Sequence, residues 1–151
     1  VVKGYPMQMI NDRVLLVPVL RAGDGLLAPI HELIPEVSVG HIGLVRDPVT
    51  HMPSCYLNKL PRDTRERFVI VLDPMVATGN SACDALDKVK EAGATRIRLM
   101  CLLTVPEGIN QVYEKHPDVP IITAAIDSHL NEHKYIVPGL GDAGDRMFGT
   151  K

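Results

Sequence analysis

The hydrophobic and polar positions of the chain alternate between short apolar runs and amphipathic stretches. The run Phe68–Leu72 is apolar at every position, which favours a strand buried on both faces in a parallel sheet. Further strands are predicted over Arg13–Leu20, Val37–Val45, Arg96–Leu103 and Val119–Ile126. Strands that alternate with helical patterns predict an α/β fold, with a central, mainly parallel sheet, right-handed crossovers and helices on both faces.

Three helices are predicted between these strands. Pro29 suits the first turn of a short helix that runs through Ile34. An apolar stripe that starts at Ala82 predicts the second helix, which Gly93 ends. The third helix follows Thr104–Glu107, which has the form of a capping box.

Three other features of the chain are interpreted as structural. Tyr113 lies on the apolar stripe of the third helix, and we expect it to pack in the core. The mixed charge run Arg62–Arg67 is interpreted as a solvated connector. Pro48–Pro61 is predicted to be an extended excursion from the sheet.

Length and composition restrict the class of protein. The 151 residues suit one domain, 1–151, and 46% hydrophobic with 23% charged residues is typical of a globular protein. With 16 basic and 18 acidic side chains the net charge is −2, which argues against a nucleic-acid partner. No apolar run approaches the ~20 residues that cross a membrane, and the start lacks a signal-peptide core. We expect a cytoplasmic protein without a membrane partner.

Cysteine and histidine give no metal site in the sequence. Cys55, Cys83 and Cys101 include no C-x-x-C pair, so neither a disulfide framework nor a zinc site is indicated, and we expect reduced thiols that are mostly buried. His129 and His133 lie four apart and could face a metal from one helix. No third ligand is placed to complete such a site, so we predict no protein-bound metal.

The stretch after the central strand carries the first candidate site. Asp73 follows Leu72 directly and so lies at the carboxyl end of the strand, where open α/β sheets bind ligands. Thr78–Ser81 then leads into a helix, whose first N–H groups and dipole favour a phosphate. No lysine follows Gly79, which excludes a Walker loop. This layout suits a sugar phosphate: Asp73 would accept hydrogen bonds from the ribose hydroxyls, and the loop would bind the 5′-phosphate. An ordinary turn with Ser81 or Thr78 as N-cap is the alternative.

Two arginines stand at the ends of other predicted strands. Arg21 begins a loop whose glycines, Gly23 and Gly25, let backbone N–H groups approach a ligand. Its guanidinium would bind phosphate oxygens in pairs. Arg46 precedes Asp47 at the next strand end, on the same edge of the sheet. For each arginine an exposed surface charge is the alternative.

Three motifs resemble those of one family. Asp73–Ser81, D-P-M-V-A-T-G-N-S, is similar to the phosphoribosyl pyrophosphate loop of type I phosphoribosyltransferases, and Pro74-Met75 is the form found in the uracil phosphoribosyltransferases. Val17–Gly23 is similar to their pyrophosphate loop, and Tyr135–Arg146 to their uracil-binding segment. The resemblance covers about Val14 to Lys151, and a tight turn alone would explain the glycines of the last motif but not this match.

The resemblance implies a fold and an activity. It implies the type I phosphoribosyltransferase fold, with a flexible flap at about 47–62 and a carboxyl-terminal base-binding hood, the uracil-binding segment at about 127–151. The implied reaction moves the 5-phosphoribosyl group from phosphoribosyl pyrophosphate (PRPP) to N1 of uracil and gives UMP and pyrophosphate, a step of pyrimidine salvage. The family carries a further amino-terminal segment that is not seen in Val1–Asn11.

The resemblance also assigns residues to three roles. Catalytic roles fall on Arg46, Asp73 and Asp142. Binding of PRPP falls on Arg21, Arg46, Asp73, Pro74, Met75, Val76, Ala77, Thr78, Gly79, Asn80, Ser81 and Asp142. Uracil binding is assigned to Ile136, Gly141, Asp142 and Ala143. Asn80 stands where the family usually has glycine, and since asparagine tolerates left-handed backbone angles we expect a modest effect on PRPP binding.

The implied partners are small molecules and further copies of the chain. Mg²⁺ would bind through the pyrophosphate of the donor, GTP is an allosteric effector of some family members, and a homo-oligomer is expected. Two alternatives stay open: a non-catalytic sensor of PRPP or nucleotides with the same fold, and a phosphoribosyltransferase for another base.

Overall fold

The computed structural model describes residues 12–46 and 53–150, except for the side chains of Arg46 and Pro53. The strands are β1 Val14–Leu20, β2 Ser38–Val39, β3 His41–Arg46, β4 Pro53–Lys59, β5 Phe68–Leu72, β6 Met75–Val76, β7 Arg96–Thr104, β8 Ile121–Ile126, β9 His129–Leu130 and β10 Ile136–Val137. The α-helices are α1 Asp24–Leu33, α2 Asn80–Glu91, α3 Pro106–Lys115 and α4 Ala143–Phe148, and a 3₁₀ helix spans Thr64–Glu66.

The main sheet of the described residues is parallel except at one edge. Its order is β4-β3-β1-β5-β7-β6, with β2 added beside β1 and β8 beside β7. Among the strand pairs that the structure describes in this sheet, β3–β4 is antiparallel and the others are parallel. A mainly parallel sheet flanked by helices confirms the predicted fold class.

The central strand β5 is buried on both faces, as predicted from its sequence. Val69 and Val71 belong to a core cluster that includes residues of α2 and α3. Ile70 and Leu72 point the other way and belong to a second cluster, against which α1 packs. The chain therefore forms three layers, and the end of β5 lies in the middle of the ligand-binding edge.

Helix α1 begins earlier than predicted. Pro29 was expected in the first turn, but α1 starts at Asp24 and Pro29 lies inside it. Proline has no N–H to donate, so the helix loses one internal hydrogen bond. Leu26, Leu27 and Ile30 nevertheless pack against the second core cluster, and this packing outweighs the local preference.

The predicted capping box at Thr104 is wrong. Thr104 ends β7, is fully buried, and its Oγ1 donates to the carbonyl oxygen of Val76 at 2.9 Å. The N-cap of α3 is Val105, which makes no side-chain cap. The prediction that Tyr113 packs in the core is also wrong, because 43% of this residue is exposed.

The charge run Arg62–Arg67 is not simply a solvated connector. Arg67 is buried, and its Nε and Nη2 donate to the two carboxylate oxygens of Asp63 at 2.9 Å each. Its Nη1 donates to Oγ of Ser38 at 2.8 Å. This guanidinium lowers the pKa of Asp63 and ties the 3₁₀ helix to β2.

The excursion and the carboxyl-terminal segment contain regular structure. Pro53–Lys59 is the antiparallel edge strand β4, whereas Asp47 and residues 48–52 lie outside the described residues. Flap closure therefore stays a prediction. The segment after Asp127, expected to be loop-rich, contains the β9–β10 hairpin and helix α4.

The remaining expectations concern metals, thiols and membranes. His129 lies on β9 and His133 in the following turn, so they do not share a helix face, and the described residues hold no group of three metal-ligating side chains. Cys83 and Cys101 are buried as predicted, but Cys55 is exposed. Among the described helices none is long and apolar enough to cross a membrane, and the cytoplasmic location stays a prediction.

Candidate active site

A cavity of about 410 Å³ opens where the end of β5 faces the carboxyl-terminal segment. Its volume is in the range of small-molecule sites. The lining residues come from the loop after β1, the stretch after β5, the β9–β10 turn and the start of α4: Ala22, Asp73, Met75, Ala77, His133, Lys134, Tyr135, Ile136, Gly141, Asp142, Ala143 and Gly144. Predicted PRPP and uracil residues thus surround one space.

Asp73 is the acidic group on the sheet side of this cavity. Its N–H donates to the carbonyl oxygen of Met100 at 3.1 Å, so the residue is fixed beside β7. Its Oδ1 accepts the N–H of Met75 at 3.3 Å. Burial raises the pKa of the Asp73 carboxyl from 3.8 to about 6, and the Met75 N–H opposes this shift. At neutral pH the group is a carboxylate that can accept hydrogen bonds from sugar hydroxyls.

The loop between β6 and α2 has the geometry of an anion site. Gly79 is the N-cap of α2, has φ of +82°, and makes no side-chain cap. A Cβ there would lie 2.9 Å from the carbonyl oxygen of Gly108, so α3 and the loop come too close for any other residue. Neither Thr78 nor Ser81 caps the helix, so the ordinary-cap alternative is wrong. The first N–H groups of α2 therefore have no helical acceptor.

Asparagine tolerates left-handed backbone angles, but Asn80 does not adopt one. The left-handed residue is Gly79, and Asn80 is the exposed first residue of α2. Val76 and Pro74 have buried side chains. These two residues can therefore serve a ligand mainly through their backbone atoms.

Arg21 lies beside the cavity and contacts α4. Its Nη2 is 3.3 Å from Oδ1 of Asp145, and its guanidinium carbon is 5.8 Å from the centre of the Phe148 ring. Its loop packs tightly under the site: a Cβ on Gly23 would lie 2.5 Å from the carbonyl oxygen of Leu72. The backbone of Arg46 ends β3, and its side chain lies outside the described part.

The uracil-binding segment forms the opposite wall. Ile136 is buried on β10, and Gly141 has φ of +78°. Oδ1 of Asp142 accepts the N–H of Asp145 at 2.9 Å and caps α4. Asp127 accepts the N–H of Gly139 through its Oδ2 at 2.9 Å. These bonds hold the wall that Gly141, Asp142 and Ala143 line.

Five lining residues were not predicted from the sequence: Ala22, His133, Lys134, Tyr135 and Gly144. Lys134 has φ of +64°, a left-handed conformation that is uncommon for lysine. Oδ1 of Asn131 accepts the N–H groups of His133 and Tyr135 at 3.0 and 2.9 Å and stabilises this turn. Ala22, Tyr135 and Gly144 had a signal, since they lie in the matched motifs Val17–Gly23 and Tyr135–Arg146, whereas His133 and Lys134 lie outside these motifs.

Comparison with known proteins decides the family. The uracil phosphoribosyltransferase family model matches residues 2–150. The chain belongs to this family. A uracil phosphoribosyltransferase of Paracoccus denitrificans is 58% identical over 141 residues, which cover 93% of this chain and 67% of that protein. The chain thus spans about two thirds of that relative's length.

Solved structures support the fold. The AQ2163 protein of Aquifex aeolicus has a TM-score of 0.89 and 33% identity, over 95% of this chain and 69% of that one. A purine phosphoribosyltransferase of Pyrococcus horikoshii has a TM-score of 0.59 and 18% identity, over 78% of this chain and 76% of that one, which shows the phosphoribosyltransferase fold alone. Family membership confirms the predicted enzyme class, a glycosyltransferase acting as a uracil phosphoribosyltransferase, and nothing supports the sensor alternative.

Proposed function

We propose that the cavity binds PRPP and uracil together and transfers the phosphoribosyl group to N1 of uracil, giving UMP and pyrophosphate. One observation carries the proposal: residues predicted for the two substrates line the same space of about 410 Å³. Substrates held side by side in one cavity react as an intramolecular pair, which lowers the entropic part of the barrier.

On the donor side, the roles follow the geometry of the strand ends. The Asp73 carboxylate would accept hydrogen bonds from the ribose hydroxyls. The loop Thr78–Ser81 would bind the 5′-phosphate with the first N–H groups of α2, at the positive end of the helix dipole. Arg21 and Arg46 would bind the pyrophosphate, for which a guanidinium fork suits pairs of oxygens.

On the acceptor side, backbone groups would recognise the base. Ile136 and the stretch Gly141–Ala143 present N–H and C=O groups toward a flat ring. Cytosine has a donor where uracil has an acceptor on its edge, so it would leave buried groups unpaired. Such mismatches are rejected strongly.

In the reaction, the bond between C1 of the ribose and the pyrophosphate oxygen breaks, and its electron pair leaves with pyrophosphate. The new bond forms between C1 and N1 of uracil, whose proton passes to a base, for which Asp142 is the candidate. Arg21 and Arg46 would stabilise the negative charge that develops on the leaving pyrophosphate. Mg²⁺ bound through the donor would supply further positive charge, and the oxygen ligands it prefers are present at the cavity in Asp73 and Asp142.

A homo-oligomer is part of the proposal. Leu102 on β7 and Ile122 and Ile126 on β8 are 44%, 48% and 58% exposed, and exposed apolar side chains of this kind support a protein contact. A GTP effector stays a prediction from the resemblance. Adding GTP to the assay below tests it.

The experiment measures UMP formation from uracil and PRPP with magnesium, with cytosine and hypoxanthine as parallel bases. We expect UMP from uracil and no product from the other two. Asp73→Asn should raise the KM for PRPP. Nucleotide formation from hypoxanthine, or PRPP binding without product from any base, would refute the proposal.

A further inference from the structure

Arg21 is contacted by the uracil-binding segment, although it belongs to the loop predicted to bind pyrophosphate. Its Nη2 lies 3.3 Å from Oδ1 of Asp145, and its guanidinium stands over the ring of Phe148. The α4 backbone also passes close, since a Cβ on Gly144 would lie 4.0 Å from the same Nη2. The two walls of the cavity therefore meet at this side chain.

Asp145 is fixed more firmly than the arginine it contacts. Its side chain is 16% exposed, whereas that of Arg21 is 54% exposed. Oδ1 of Asp145 also accepts a hydrogen bond from the Thr150 hydroxyl at 2.6 Å. The N–H of Asp145 donates to Oδ1 of Asp142, the N-cap of α4. A fixed carboxylate beside a long, exposed side chain restricts the rotamers of that side chain, and restricting them beforehand reduces the entropy lost on binding a ligand.

The neighbouring arginine on α4 has a hydrogen-bond partner of its own. Nη1 of Arg146 donates to the carbonyl oxygen of Leu140 at 2.8 Å. Arg21 has five N–H donors, and the contact with Asp145 uses one of them. Within residues 12–46 and 53–150, Asp145 is the hydrogen-bond partner of this guanidinium, and its Nε and Nη1 donors can serve oxygens of a ligand.

We propose that Asp145 is a positioning residue for the donor: it holds one edge of the Arg21 guanidinium, so that the other donors face the pyrophosphate. The inference rests on the proposed function, because it takes pyrophosphate as the ligand of Arg21. It adds that helix α4, which begins at the uracil-binding residues, also sets the affinity for the donor.

The test measures the Kd of magnesium pyrophosphate by calorimetry for the wild type, Asp145→Asn, Arg21→Ala and the double variant. Asp145→Asn keeps the size of the side chain and an oxygen for Thr150 but removes the charge. We expect about a fivefold rise in Kd, the size typical of a partly exposed ion pair, and a smaller rise at high salt. In the Arg21→Ala background the same change should have no further effect.

Three further variants separate positioning from general stability. Asp145→Glu keeps the charge and should restore part of the affinity. Phe148→Leu removes the ring under Arg21 and should raise Kd about twofold, again only when Arg21 is present. Asp118→Asn is the matched control, since Asp118 forms an exposed ion pair with Lys90 at 2.6 Å, apart from the cavity, and should leave Kd unchanged.

Several results would overturn the inference: no pyrophosphate binding by the wild type, an unchanged Kd in Asp145→Asn, an equal rise with Arg21 already removed, or an equal rise in Asp118→Asn. UMP formation by the wild type is measured separately. If the wild type makes no UMP but the Kd values follow the expected pattern, the proposed function fails and the positioning role stands.

Discussion

Replacing Asp73 by asparagine should make the folded protein more stable at neutral pH while weakening donor binding. Folding raises the pKa of this carboxyl from 3.8 to about 6, mainly through burial. At about 1.4 kcal/mol per pKa unit, the buried charge destabilises the folded state by up to about 3 kcal/mol above pH 6. Asparagine removes the charge and keeps the oxygen that accepts the Met75 N–H.

The pH dependence gives the sign of the effect. A group whose pKa is raised on folding favours the folded state below its unfolded pKa and loses that contribution as pH rises through the folded pKa. The advantage of Asp73→Asn should therefore be full above pH 6, shrink between pH 6 and pH 4, and vanish below pH 4.

The assay is urea unfolding of the wild type and Asp73→Asn between pH 4 and pH 8, with the KM for PRPP measured on the same samples. Asp142→Asn is a matched control, because asparagine caps a helix about as well as aspartate and Asp142 is exposed. Its free energy of unfolding should change by less than about 0.5 kcal/mol. Equal stability of Asp73→Asn and wild type at pH 8, or an advantage that grows as pH falls, would refute the reasoning.

Three other changes have defined outcomes. Asn80→Gly should change the KM for PRPP less than about tenfold, because Asn80 is exposed and the left-handed position is already Gly79; a change of orders of magnitude would contradict this, and initial rates at varied PRPP measure it. Thr104→Val should lower the free energy of unfolding by about 1–3 kcal/mol in urea, since it leaves the Val76 carbonyl without its buried donor, and no loss would show that the bond is dispensable. Lys134→Gly should raise the free energy of unfolding by up to about 1 kcal/mol. Glycine adopts φ of +64° without the cost of about 1–2 kcal/mol that other residues bear, but its greater conformational entropy in the unfolded chain offsets part of this gain. A lower melting temperature of the variant would contradict the prediction.

The strands were predictable where burial alone determines the sequence. Phe68–Leu72 was predicted with the bounds that the structure gives to β5, because a strand covered on both faces must be apolar throughout. Arg13–Leu20 agrees with β1 except at its first residue. The regularity of β4 was not foreseen, since it is a half-exposed antiparallel edge strand with a weak pattern.

Local signals failed where tertiary contacts outweighed them. Pro29 indicated a helix start, but the packing of Leu26 and Ile30 on the sheet extends α1 before it. Thr104 had the form of a cap, but its hydroxyl bonds across to β6. In these cases the deciding partner is far away in sequence and no short motif contains it.

For the site, motif resemblance placed more residues than local chemistry did. Asp73, Met75, Ala77 and the uracil residues line the cavity together, and this grouping followed from three separated motifs. Lys134 could not be found in this way, because its place depends on a turn that Asn131 stabilises. The specific roles of these residues stay predictions until the proposed assays are done.

The wall of the cavity that carries the uracil residues is a local structure. The β9–β10 pair is a separate two-stranded sheet in the described part of the chain. One backbone bond, from the N–H of Asp127 to the carbonyl oxygen of Thr104 at 2.8 Å, ties its start to β7. The side-chain bonds of Asp127, Ser128 and Asn131 stay within the segment and reach no further than Gly139. Such a segment can unfold and refold as a small cooperative unit while the main sheet stays intact. Its amide protons should exchange with solvent sooner than those of β5, and the lifetime of the base-binding wall would then be set by these few bonds and not by the stability of the whole domain.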